Sequence, residues 1–247
     1  MEYIDEDWTL GEEIRGDEIS VFSGGLLEPI GALLERLVVT PPRSHPDSVG
    51  ERENGHCVAI ISLLFLAFES FVGRAGHLRR LNTGEDRDAK VHAHTTAFLK
   101  ALAPDFQEEL LLDLAETYVL RDAIAHAHVW SIEYVMRESG TQVTGMEKHP
   151  GYGNKRLDTM ADTQTARTMR RSLRVIPSKI GLEEVHAVFK TLRAVLGHLV
   201  TAGALETAVI RRGIRYRSHR YFEFWSLDTE IATLIQQRRE LLLSKKT

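Results

Sequence analysis

Residues 51–81 constrain this chain more than any other stretch. Apolar residues recur there on a helical period, including Ile60, Ile61, Leu64, Phe65, Phe68, Phe71 and Val72, and no proline interrupts them. A helix of this length hides its apolar side only when other helices pack against it, so the segment, the longest periodic one in the chain, reads as one helix of a bundle. Its longest apolar run, Cys57 to Phe68, is a dozen residues and ends at Glu69. A membrane-spanning helix needs about 20 apolar residues, so this run reads as a core element of a soluble, cytoplasmic protein without a membrane partner. Gly73 and Gly76 are expected to let another helix approach closely.

The flanking stretches supply the partners. Pro29 opens a helix through Leu33, Leu34, Leu37 and Val38, and Pro41, Pro42 and Pro46 mark the loop after it. Asn82, Thr83 and Gly84 make a turn, and a third helix runs from about Asp88 through Leu102 to Pro104. A fourth starts at Asp105, with Leu110, Leu111, Leu114 and Tyr118 on one face. It is expected to break near Thr117 and resume at Arg121, which puts Arg121 at a helix N-terminus, where free N–H groups favour an anion. From Val129 the pattern alternates, and Glu138-Ser139-Gly140 followed by Thr141 to Met146 completes a β-hairpin. Residues 147–156 read as a loop. Two more helices follow, from about Leu182 to Thr201 and from about Leu227 to Ser244. The expected fold is all-α, a bundle of four or five principal helices with a small β insertion near 129–146. Residues 1–23 form an acidic extension, 24–205 the helical domain, and 206–247 a basic, aromatic segment and closing helix packed on it.

Net charge is −4, but it is unevenly spread. Residues 1–50 hold eleven acids and three bases, a balance of −8, whereas 151–225 hold fourteen bases and six acids, a balance of +8. Such a split implies that the second half meets an anionic partner or the acidic N-terminus of its own or a neighbouring subunit. Cys57 is the only cysteine, which excludes a disulfide framework within one chain and fits a reducing compartment. The N-terminus, MEYIDEDWTL, lacks the basic and apolar regions of a signal peptide.

Chemistry concentrates in ETYVLRDAIAHAHVW, residues 116–130. On a helix Asp122 and His126 share a face and Arg121 sits one step aside. A guanidinium is a planar fork of donors suited to phosphate, and an imidazole gives or takes a proton near neutral pH. Asp122 orients the pair, and Glu69 and Ser70, polar residues in an apolar helix, are candidate supports. Arg167, Arg170, Arg171 and Arg174 recur at helical spacing, a basic stripe if that stretch is helical. Arg211, Arg212, Arg215 and Arg217 alternate with aromatic residues, a pattern that stacks bases and contacts phosphates or packs as a strand. The pairs His92/His94 and His126/His128 point to different helix faces with no cysteine to join them, so no metal and no cofactor are expected.

Arg-Asp-Ala-Ile-Ala-His, 121–126, resembles the Arg-polar-x-x-x-His signature of HEPN domains. The run IISLLFLAFESFVGRA, 60–75, is similar to that family's long earlier helix, and residues 171–199 to its closing segment. The resemblance covers about residues 55–200 in the expected order. It departs at Ala127, where Gly is frequent, and in His128, a second candidate for the acting histidine. It implies an all-helical, metal-independent endoribonuclease, a toxin or antiviral-defence effector, whose motifs face each other across a homodimer. RNA would be the substrate and an antitoxin or regulatory protein a partner. The alternatives are a non-catalytic module binding nucleic acid, nucleotide or protein, and a structural dimer or antitoxin-like regulator.

Overall fold

A computed structural model describes residues 23–42, 49–78, 91–125, 130–137, 140–148, 155–162, 164–217 and 220–244. A short 3-10 turn, Ser23–Leu26, leads into α1, Leu27–Val39, and the long α2, Glu51–Leu78. Then come α3, Val91–Leu102, and α4, Glu108–Ala125. The strands β1, Trp130–Arg137, and β2, Gly140–Lys148, precede α5, Lys155–Met160. Two very short strands follow, β3, Ala161–Asp162, and β4, Arg167–Thr168. The chain ends with α6, Leu182–Thr201, α7, Thr207–Ile210, β5, Gly213–Tyr216, β6, Arg220–Glu223, and α8, Leu227–Ser244. The described residues are mostly helical, and their strands form three separate antiparallel pairs.

Helix α2 lies at the centre and touches α1, α3, α4 and α6. Its Cys57, Ile60, Ile61, Leu64, Phe65 and Phe68 are buried in one apolar cluster with Leu34 and Leu37 of α1 and Val185, Val188, Phe189 and Leu192 of α6. Each such side chain contributes about 1.5–3 kcal/mol by leaving water, which is why the longest periodic segment becomes the hub. By length and composition Glu51–Gly76 could also cross a membrane, and half of its most apolar stretch is buried inside the fold. Gly76 is the expected close-packing point, because a Cβ there would meet the Phe98 ring of α3 at 2.7 Å. Gly73 is not, since nothing lies within 4 Å of a Cβ added to it.

Three local expectations change. Helix α4 does not break at Thr117: the Thr117 hydroxyl donates to the Leu114 carbonyl at 2.7 Å, so the polar group is absorbed within the helix. Arg121 therefore sits in the last turns of α4, and the N-terminal anion argument for it lapses. Second, the stretch with Arg167, Arg170, Arg171 and Arg174 is not a helix. It is a hairpin of β4, a turn and an antiparallel bridge from Arg167 to Arg174, with Ala166 and Ser172 at positive φ. The cause is Glu116 of α4, which is 2 % exposed. Its carboxylate accepts from the Arg170 N–H at 2.6 Å, the Arg171 N–H at 3.0 Å and the Thr168 hydroxyl at 3.2 Å. A buried carboxylate requires donors, and a turn offers amides that a helix would use internally. Third, residues 155–156, read as loop, begin α5.

The insertion pairs β1 with β2 from Trp130 opposite Lys148 to Arg137 opposite Gly140, with an irregularity between Glu133 and Tyr134. Its turn residues Glu138 and Ser139, like the acidic 1–22, the Asn82 turn and residues 149–154 of the 147–156 loop, lie outside the described residues. In the aromatic segment Ile214 and Tyr216 are buried while Arg215 and Arg217 point outward, and the backbone N–H groups of Arg215 and Arg217 donate to Glu28 and Glu35 of α1. Helix α8 packs on α6 and is pinned by Arg238, which reaches Glu53 of α2 at 2.7 Å and the Leu37 and Thr40 carbonyls, each at 2.7 Å.

Candidate functional site

Four helices bring the residues of the site together. Asp122 of α4 accepts from Arg156 of α5 at 2.8 Å through Oδ2 and from Arg121 at 3.4 Å through Oδ1. Glu69 of α2 places Oε1 3.9 Å from the Arg121 Nε. One turn before Asp122, the Tyr118 ring lies on Phe65 at 4.7 Å between centroids, and its hydroxyl is 3.2 Å from the Thr95 Oγ1 of α3. The Arg156 guanidinium stands 5.7 Å from the centre of the same ring, at cation–π distance. Two guanidiniums thus face two carboxylates, an arrangement neutral as a whole, as a partly buried cluster must be.

Burial sets the electrostatics. It pushes the Glu69 carboxyl above its ordinary range, and Arg121 only partly offsets this. Burial, with Glu69 next to it, also raises the Tyr118 phenol, so this hydroxyl stays protonated. The Arg156 guanidinium is lowered by burial and held up in part by Asp122. Arg121 is the member that water reaches best: its side chain is 26 % exposed, against 16 % for Arg156 and 11 % for Asp122. The arrangement can present one guanidinium at the surface while fixing it from behind, and Glu69 is a carboxyl able to hold a proton at a higher pH than usual.

Of the sequence-derived residues, Arg121, Asp122 and Glu69 come together. Ser70 is half-buried on α2 and makes no described hydrogen bond to the cluster. His126 and His128 lie outside the described residues; α4 is described to Ala125, immediately before His126. The arginines of the basic half part company. Arg170 pairs with Glu109 and, at 2.9 Å, Asp113, and Arg174 lies against Glu183 and Glu184. The Arg167 guanidinium donates to the Ser172 carbonyl, and that of Arg171 to the Thr191 hydroxyl and the Ala187 carbonyl. Arg211, Arg212, Arg215 and Arg217 are exposed, with Arg217 near Glu230 at 3.5 Å and over the Tyr216 ring.

Sequence reasoning missed Arg156 and Glu116. Arg156 carried no local signal, since its partner is 34 positions away. Glu116 did carry one: it is an acid inside an apolar helical face, next to Leu114 and Ala115. Among the described residues no three His, Cys, Asp or Glu side chains converge on a common point suited to a metal. Cys57 is buried, and desolvation drives its thiol far above the ordinary value, which disfavours the thiolate that ligation or attack requires. Compared with protein-family models, curated proteins and solved structures, the chain matches none in any of the three sets.

Proposed function

We propose that this chain is a HEPN-type, metal-independent endoribonuclease acting in the cytoplasm as a toxin or defence effector, with Arg121 and His126 as its catalytic pair. The observation that carries the reading is the approach of Glu69 and Asp122 to Arg121, which leaves that guanidinium the most solvent-reached member of the cluster. In the mechanism Arg121 stabilises the charge that builds on the phosphoryl oxygens, and His126 moves a proton from the ribose 2′-hydroxyl or to the leaving 5′-oxygen. Asp122, held from the other side by Arg156, keeps Arg121 in register. The RNA supplies its own nucleophile.

A homodimer with facing motifs completes the proposal. Its support is the outer side of α2, where Leu66 is 53 % exposed and Gly73, one turn after Glu69, faces open space. The test is cleavage of RNA in EDTA by wild type, Arg121→Ala and His126→Ala, with product ends analysed and folding checked. Cleavage by the wild type alone, leaving 2′,3′-cyclic phosphates, is expected. Equal cleavage by all three overturns the assignment of this site.

A second reading, a non-catalytic HEPN-like module that binds nucleic acid, nucleotide or protein, is favoured by one feature: Asp122 already meets two guanidiniums and Arg121 two carboxylates. It predicts no cleavage, and RNA affinity that falls steeply with salt.

A further inference from the structure

We infer that the cleft between the 167–173 hairpin, the start of α6 and α8 is a binding site for a phosphoryl group carried by a nucleotide-sized ligand or by an RNA chain, separate from the Arg121 cluster. The cleft has a volume of about 400 Å³, within the range of small-molecule sites. Arg167, Arg171, Arg239 and His186 line it.

The charge distribution selects the ligand. Arg170 and Arg174 each lie against two carboxylates and do not line the cleft. Arg167 and Arg171 do line it, and among the described residues their guanidiniums meet only carbonyl and hydroxyl oxygens. Such contacts orient a guanidinium without neutralising it. Two acids also face the cleft, and both are committed. Glu184 is 2 % exposed and accepts from the Gly181 and Arg174 N–H groups beside the Arg174 guanidinium. Glu183 lies 2.7 Å from Arg239 and 3.7 Å from Arg174. Three guanidiniums, those of Arg167, Arg171 and Arg239, thus line this opening against two carboxylates.

The positions are built in rather than accidental. Glu116 clamps the amides of Arg170 and Arg171 from α4, and Ser172 holds a φ of 57°, which aims its carbonyl at Arg167. Arg171 is braced by two groups of α6. His186 of α6 is held by Asp228 of α8 at 2.8 Å, and Arg193 covers the other oxygen of that carboxylate at 3.2 Å. An anion entering here meets a fork of prearranged donors, the geometry in which arginine recognises phosphate best. Arg239, 61 % exposed and joined among the described residues only to the exposed Glu183, is able to turn inward onto it.

Titration of the full chain by calorimetry with inorganic pyrophosphate, 5′-AMP and adenosine tests this. Pyrophosphate and 5′-AMP should bind and adenosine should not. Losing one charged contact costs about 1.5–3 kcal/mol, so Arg167→Gln and Arg239→Gln, which spare the braced Arg171, should each weaken binding about tenfold or more. Lys100→Gln, the same charge change on α3, should leave it unaltered. Competition by a short single-stranded RNA that disappears in Arg167→Gln names the RNA backbone as the source of the phosphate; no competition names the free nucleotide. Absence of pyrophosphate and 5′-AMP binding, equal binding of adenosine, or equal weakening by Lys100→Gln overturns the inference.

Discussion

Two arginine–carboxylate clusters sit along α2 and are built differently. Near its start, Arg238 is 9 % exposed by side chain and reaches Glu53 and the Leu37 and Thr40 carbonyls, each at 2.7 Å, locking α8 to α1 and α2. Two-thirds of the way along, Arg121 is nearly three times as exposed and meets Glu69 and Asp122 at 3.9 and 3.4 Å. The first guanidinium, buried and paired at close range, joins helices. The second is held more loosely, and the rigid partner there is Arg156, which keeps Asp122 at 2.8 Å. Burial decides the difference, because a desolvated charge needs complete pairing whereas a half-wet one keeps water as a partner.

The sharpest way to break this comparison is stability measured in urea. Arg238→Ala strands Glu53 in the interior and should cost about 3–5 kcal/mol, enough to threaten folding. Arg156→Ala removes the close partner of Asp122 and should cost about 2 kcal/mol. Arg121→Ala should cost about 1 kcal/mol or less, the range for a long, half-exposed pair. If Arg121→Ala is as harmful as Arg238→Ala, the Arg121 cluster is a joint like the other and the catalytic proposal loses its basis.

The two α2 glycines sharpen the comparison of packed and open surfaces. Gly76→Ala drives a methyl into Phe98 and should destabilise by about 1–2 kcal/mol, whereas Gly73→Ala should gain up to about 1 kcal/mol from helix propensity. Thermal melts of the two variants check this, and a loss at Gly73 would mean that its face is covered in solution.

The smallest effect is on pH dependence. Burial raises the Glu69 carboxyl above its unfolded value of 4.5, so between the two values the folded chain binds more protons than the unfolded one. The contribution of Glu69 is therefore fully present below 4.5 and is lost as pH rises through the higher folded value. Glu69→Gln should remove that loss, so the variant gains on the wild type as pH climbs from about 4.5. Urea midpoints of both proteins across this window decide it, and parallel profiles would show that Arg121 compensates for burial fully.

Much of the backbone was legible before any tertiary information. Helices α6 and α8 begin and end where periodicity puts them, and the β1–β2 hairpin follows alternation from Trp130 onward. Regular structure is a local property, so hydrophobic spacing reports it directly. Reading failed where a distant group intervened. Four arginines at helical spacing form a hairpin because buried Glu116, more than fifty positions away, takes the amides of Arg170 and Arg171. Thr117 did not break α4, because its hydroxyl found a carbonyl one turn back.

For the candidate site the division is similar. Arg121, Asp122 and Glu69 stood out as polar residues in apolar helical company, and a charge in such a setting must meet something polar. The amino-acid order by itself thus determined which residues are placed on helices with their polar groups facing inward. Only the tertiary structure decided what each charge meets: Arg156 for Asp122, Glu53 for Arg238, and neutral oxygens for Arg167 and Arg171. Those pairings depend on how helices far apart in the chain pack and exclude water, and a pattern of neighbours along the chain carries no measure of either.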